Sequence, residues 1–312
     1  MNSRMRNAIL TLVIAAAAWA MLPVSADAPR GAVAADRLRR HAPPARARAA
    51  DSAPRLMNPV TANADTGLTF MEYLTSSPRR PAPESRTIYL LPADAGIDPD
   101  ELRDMGVFLS AYYQLPVRSF REAPIPAAIP ARGRGQLDAD AIMNHFERQM
   151  PGRVFLCLIV TSRDIYSDGL PYVFGLAYAD MKCAIVSTTR IWQDPGRAVT
   201  QAERMRFWKL SAHELGHGLG LPHCADSRCV MNAQASLMAL DQSPATLCPG
   251  CMRKESWNIG YEPESWCALI ARTVTDLGQP ALAADFDAQR KTLAGIRQVS
   301  SRSLARSTLF DE

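Results

Sequence analysis

The chain has 312 residues, 47% of them hydrophobic and 21% charged, which excludes wholesale disorder and a collagen-like repeat; with only 7 Cys it is no small disulfide scaffold either. Only one long apolar run is present, which excludes a polytopic membrane protein. The formal charge of +4 comes from the first 56 residues, because residues 57–312 hold 26 basic against 28 acidic side chains, so nothing in the folded part points to nucleic acid.

Residues 1–26 read as a secretory signal. Arg4 and Arg6 precede an apolar run from Ala8 to Leu22, and small residues lead to a cut after Ala26. The run is shorter than the roughly 20 residues that span a bilayer, so cleavage and export are expected, to the periplasm or outside the cell, with no stable membrane span left. Residues 27–85 read as a disordered linker or pro-region, since Ala, Pro and Arg dominate 27–56 and offer little to bury.

The folded domain is expected over 86–280, with a helical tail over 281–312. Thr87 to Leu91 has the length and apolarity of a strand, and Pro99-Asp100-Glu101 opens a helix whose Leu102, Met105, Phe108, Leu109 and Tyr112 recur at helical spacing. A second strand at 117–120, a second helix at 138–150 and a buried strand at 153–161 continue the alternation, which implies parallel strands in an α/β layer. Tyr172–Ala179 and Cys183–Thr189 are joined by three residues and predict a hairpin. Thr200 and Glu203 form a capping-box pattern that starts a helix running to about Gly218. The segment after it is rich in Cys, Gly and Pro, and 263–277 is amphipathic.

The end of the 200–218 helix carries the chemistry. Three of the five His lie within eleven residues, as His213-Glu214-x-x-His217-x-x-Gly220-x-x-His223. His213 and His217, four apart, leave one helix face together and can share one metal ion. Gly220 can take the positive φ that ends the helix and returns the chain, bringing His223 as a third nitrogen. Three neutral imidazoles leave a zinc ion one position for water, and Glu214 beside them is placed to act as general base in hydrolysis. Five fixed positions matching by chance in a chain of this length is expected on the order of 10⁻⁶ to 10⁻⁵ times.

Past His223 the chain continues Cys224-x4-Cys229-Val230-Met231 and later Cys248-Pro249-Gly250-Cys251. This whole run resembles the archaemetzincins (archaelysins), zinc peptidases of the metzincin clan. The resemblance spans about residues 86–255 and is most specific at 213–251; sixteen residues separate Met231 from Cys248, one fewer than the family pattern. It implies a mixed, mostly parallel sheet with an antiparallel edge strand, an active-site helix, a Cys-rich loop and C-terminal helices. It also implies a catalytic zinc on His213, His217 and His223 with Glu214 as base, and Met231 in a turn beneath the metal. Cys224, Cys229, Cys248 and Cys251 would hold a second, structural zinc, giving two per chain. Export keeps a pair of disulfides open for those four, although Cys-x-x-Cys is typical zinc spacing.

Tyr172–Tyr178 is either plain sheet core or, by the same resemblance, the edge along which a substrate lies extended. Asp164 reads as a turn cap or as the partner of a ligand histidine. Cys157, Cys183 and Cys267 read as buried thiols, and a Cys157–Cys183 bridge requires side chains on one face. The function expected is a zinc-dependent metallopeptidase acting on peptide or protein substrates, a monomer. A zinc amidase of an envelope component and a non-catalytic zinc module are the rival readings.

Overall fold

In the computed structural model the described residues are 67–133, 135–192 and 197–307, and side chains are described up to Arg297. The expected signal segment and the linker through residue 66 lie outside them. In chain order the elements are α1 (Phe70–Thr75), β1 (Thr87–Pro92), α2 (Pro99–Tyr113), β2 (Val117–Ser119), β3 (Ala131–Arg132), β4 (Gln136–Asp138), α3 (Ala139–Glu147) and β5 (Val154–Thr161). They continue with β6 (Ile165–Tyr166), β7 (Gly175–Ala177), β8 (Cys183–Ser187), α4 (Gln201–Gly218), α5 (Leu237–Gln242), α6 (Pro249–Ile259), α7 (Pro263–Asp276) and α8 (Pro280–Ser307).

All eight residues of β5 are buried without alternation, as in a strand covered on both faces. It is the centre of a five-stranded sheet in the order β2-β1-β5-β8-β7. The first four strands are mutually parallel and β7 closes one edge antiparallel to β8. This is the mixed sheet with an antiparallel edge that the sequence predicts. A small second sheet, β3-β4-β6, was not foreseen, because strands of two or three residues carry no periodic pattern.

One core lies on each face. Leu90, Leu158, Val160 and Val186 meet Phe108, Tyr112, Phe207, Trp208 and Trp266 from α2, α4 and α7. Tyr89, Leu91, Ile159 and Ile185 meet Ile142, Met143 and Phe146 from α3. Helix α2 starts on an Asp98 cap with Pro99 at its first turn and ends at Gln114, whose φ is 48°. No described helix is long and apolar enough to cross a membrane.

Two boundaries differ from the expectation. Residues 67–85, assigned by composition to the linker, fold: Thr69 and Glu72 form a capping box for α1, and Tyr73 is fully buried. A six-residue helix flanked by Pro and Arg is too short to register as periodic. The tail expected from 281 begins inside the core as well, with Leu282 and Phe286 of α8 buried against α7.

Candidate metal centre and active site

Helix α4 is nucleated at Thr200, which accepts from the Glu203 N–H while the Glu203 carboxylate accepts from the Thr200 N–H, and Arg197 pairs with that carboxylate at 2.8 Å. Its last turns carry His213 and His217 with ring centroids 4.6 Å apart. The helix stops where Gly220 adopts φ 80°, a conformation costly to any residue with a Cβ. The Gly220 and Leu221 amides donate back to His217 and Gly216 carbonyls at 2.8 and 3.1 Å, and the reversed chain brings the His223 ring to 4.8 Å from that of His217.

Both helical imidazoles are oriented from behind. His213 Nδ1–H donates to the Val230 carbonyl at 2.8 Å and His217 Nδ1–H to the Leu221 carbonyl at 2.7 Å, which leaves each Nε2 lone pair facing inward. Those two Nε2 atoms are 3.0 Å apart. A tetrahedral zinc with bonds of about 2.05 Å sets its nitrogens about 3.3 Å apart, so the pair fits one ion with little adjustment. Ligand atoms of all three histidines lie within 4.8 Å of one another. Burial, then the neighbouring His217, hold the His213 pKa well below its usual value, so the ring is kept in the neutral form a metal requires.

Glu214 reaches from the same helix toward Gly175 of the edge strand. It is 5% exposed, and burial without a compensating charge pushes its carboxyl up to about 8. A Cβ on Gly175 of β7 would lie 2.4 Å from Glu214 Oε1, so only glycine at that strand position leaves room for the carboxylate. Glu214, the three histidines, the 168–178 segment, Leu210 and the 233–235 segment line one cleft of about 510 Å³.

Met231 is fully buried against helix α4: a Cβ on Gly216 would stand 2.6 Å from its sulfur. The Met231 carbonyl accepts from the Cys224 N–H at 2.8 Å, and Asn232 ties the loop by bonding Cys224 and Ser227 carbonyls and the Cys229 N–H. Cys224, Cys229, Cys248 and Cys251 are buried with their sulfurs within 4.8 Å of one another. Cys224 and Cys248 sulfurs are 3.6 Å apart, against about 2.0 Å in a disulfide and about 3.8 Å between thiolates on one tetrahedral zinc. All seven cysteines are unpaired by disulfides. Hydrogen bonds from Cys229 and Cys251 hold Cys248 well below the usual thiol range, and the same bond pushes Cys229 up to about 12. The donor set therefore fits zinc at both places: three imidazole nitrogens with one face open to the cleft, and four sulfurs in a closed pocket.

The model of Peptidase family M54 matches residues 138–256. The chain is 31% identical over 159 residues to the archaemetzincin of Natronomonas pharaonis, covering 49% of this chain and 90% of that protein. The archaemetzincin of Methanopyrus kandleri is 34% identical over 131 residues, covering 42% of this chain and 72% of that protein. The chain belongs to the archaemetzincin family. Its fold agrees: the crystal structure of the Methanopyrus kandleri archaemetzincin superposes with a TM-score of 0.50 at 29% identity, covering 58% of this chain and 99% of that one. Like the family, this archaemetzincin is a zinc metallopeptidase.

Within the archaemetzincin site, the three histidines and four cysteines expected as ligands fall into the two clusters, and Glu214 faces the cleft. Tyr172–Tyr178 forms the cleft wall and includes the sheet edge rather than buried core alone. Asp164 is neither a turn cap nor a histidine partner. Both its oxygens bond Arg190 at 2.8 Å, and Arg190 in turn lies 3.9 Å over the Tyr172 ring. Cys157 and Cys183 are register partners on one sheet face, so the geometric condition for a bridge is met, but both are buried free thiols. Gly175, Leu210, Gln234 and the whole of α1 were missed. Gly175 meets Glu214 and Tyr73 of α1 meets Leu219 across stretches of chain that no local pattern bridges, whereas Leu210, one helical turn before His213 and Glu214, and Gln234, bonded to the Val230 carbonyl, are local and lie within reach of helical and loop spacing.

Proposed function

We propose that this archaemetzincin hydrolyses peptide or protein substrates bound extended along β7, with His213, His217 and His223 holding one catalytic zinc and Glu214 as general base. The supporting observation is the convergence of three inward-facing imidazole nitrogens and one buried carboxyl on a single cleft beside a free sheet edge. A zinc ion bound by three imidazoles supplies a Lewis acid for the scissile carbonyl and lowers the pKa of bound water toward about 7.

The protein's own groups do the rest. Glu214 takes a proton at its carboxylate and returns it to the leaving amine, inside a cleft whose apolar walls exclude bulk water. Strand β7 is last in the sheet order, so its outward N–H and C=O groups can pair with a substrate backbone. Tyr172, Phe174, Leu176 and Leu210 present apolar surface to the substrate side chains. The Val230 and Leu221 carbonyls hold His213 and His217 in place, and Met231 packs against the same helix at Gly216.

A second zinc at Cys224, Cys229, Cys248 and Cys251 completes the loop, for a total of two per chain, and the 1–26 leader supports action outside the cytoplasm on the exported 27–312 chain. The mechanism is tested with two variants. Glu214→Ala is expected to keep its zinc and lose hydrolysis, whereas His217→Ala loses both the ion and the activity. Turnover surviving in Glu214→Ala would refute the role given to that carboxylate.

A further inference from the structure

The segment 67–80 precedes the residues matched by the family model and lies on the outside of the turn that delivers the third histidine. Gly67 sits beside His223, where a Cβ would be 3.8 Å from the His223 carbonyl and 3.6 Å from Asp226 Oδ2. Six residues on, Tyr73 is fully buried and its hydroxyl donates to the Leu219 carbonyl at 2.8 Å. Leu219 is the C-cap of α4, so this carbonyl is one that the helix itself leaves without a partner. Pro78 then closes over Gly220, with its Cβ 3.2 Å from where a glycine Cβ would stand. The strap thus touches the turn at Leu219, Gly220 and His223.

Its other side is fixed to α6. Asn258 Nδ2 donates to the Tyr73 hydroxyl at 2.8 Å and to the Arg79 carbonyl at 2.9 Å. Arg80 stacks 4.1 Å over Trp257 and bonds the Trp257 and Asn258 carbonyls at 3.3 and 3.4 Å. Trp257 meets both Tyr73 and Phe70 edge to face. Helix α6 is capped at its N-terminus by Cys248, so it is anchored by the four-cysteine cluster. From inside, the turn is held by the His217 to Leu221 bond; from outside, the Tyr73 hydroxyl is the polar contact to its first carbonyl.

We infer that Tyr73 is a positioning residue for the catalytic metal: through the Asn258–Tyr73–Leu219 hydrogen-bond chain it fixes the turn that presents His223, and so sets the zinc affinity of the three-histidine site. The inference rests on the histidine site proposed above. Removing the hydroxyl leaves the ring packing intact while the buried Leu219 carbonyl and the Asn258 amide each lose a partner. Outer partners of metal ligands typically change metal affinity 10- to 100-fold, and for a group acting through one turn of backbone the lower end, about 10-fold, is expected.

The test is zinc titration of the full 27–312 chain against a chromogenic chelator, for wild type, His217→Ala, Tyr73→Phe and Asn258→Ala. His217→Ala identifies which of the two ions belongs to the histidines. Tyr73→Phe is expected to weaken that ion about 10-fold and to leave the cysteine-held ion unchanged, with kcat restored by excess zinc at constant KM. Asn258→Ala, which spares the hydroxyl but frees it, is expected to shift the same ion in the same direction. Unaltered affinity in a folded Tyr73→Phe chain, or parallel loss of both ions, overturns the inference. A wild-type chain that takes up zinc only at the cysteines overturns the histidine reading itself, and needs no strap variant to be recognised.

Discussion

Gly175→Ala gives the sharpest test of how the catalytic carboxylate is housed. The new Cβ would stand 2.4 Å from Glu214 Oε1 and 2.7 Å from its Cδ and Cγ, where ordinary contact begins at 3.4 Å. The carboxyl must therefore retreat by roughly 1 Å, since its neighbour is the backbone of a paired strand that gives less easily than a side chain. A catalytic group misplaced by about 1 Å costs on the order of 10²-fold, and loss of general-base action altogether 10²- to 10⁴-fold. The expected result is a 10²- to 10³-fold fall in kcat with the zinc ratio unchanged, read on an internally quenched peptide mixture beside elemental analysis. The three atoms nearest the new Cβ all belong to Glu214, and the zinc ratio separates a displaced carboxylate from metal loss. Activity within about three-fold of wild type at full zinc would refute the claim that this glycine makes room for the base.

Two further outcomes are expected. Glu255 is 1% exposed and burial pushes its carboxyl up to about 8 from 4.5, so the native state holds a proton the unfolded chain has released between those values, and stability falls as pH rises through that window. The shift corresponds to at most about 5 kcal/mol; Glu255→Gln should flatten the pH dependence of the urea midpoint between pH 5 and 8, and an identical slope in both chains would contradict it. Cys248→Ser should lower the zinc-to-protein ratio from two to one and reduce thermal stability, because Cys248 both joins the sulfur cluster and caps α6; a ratio still at two would remove this residue from the ligand set.

What the sequence reveals depends on how far apart the cooperating residues lie. His213 and His217 are one helical turn apart and Gly220 marks its own turn, so the histidine cluster can be built on paper. The order of β1, α2, β2, α3 and β5 is equally visible, because each element has its own period. The strap is hidden because Tyr73 earns its place through Leu219 and Asn258, 146 and 185 residues away. Asp164 was misjudged for the same reason: its partner Arg190 lies 26 residues on, across β8, whereas a turn cap would have been local. Gly175 looks like any strand glycine until the helix opposite sets Glu214 against it.

His223 and Cys224 are consecutive, so the nitrogen set and the sulfur set share one peptide bond and consecutive Cα atoms some 3.8 Å apart. A one-residue insertion at that junction would therefore displace a ligand of each set at once, which a substitution at either residue alone would not.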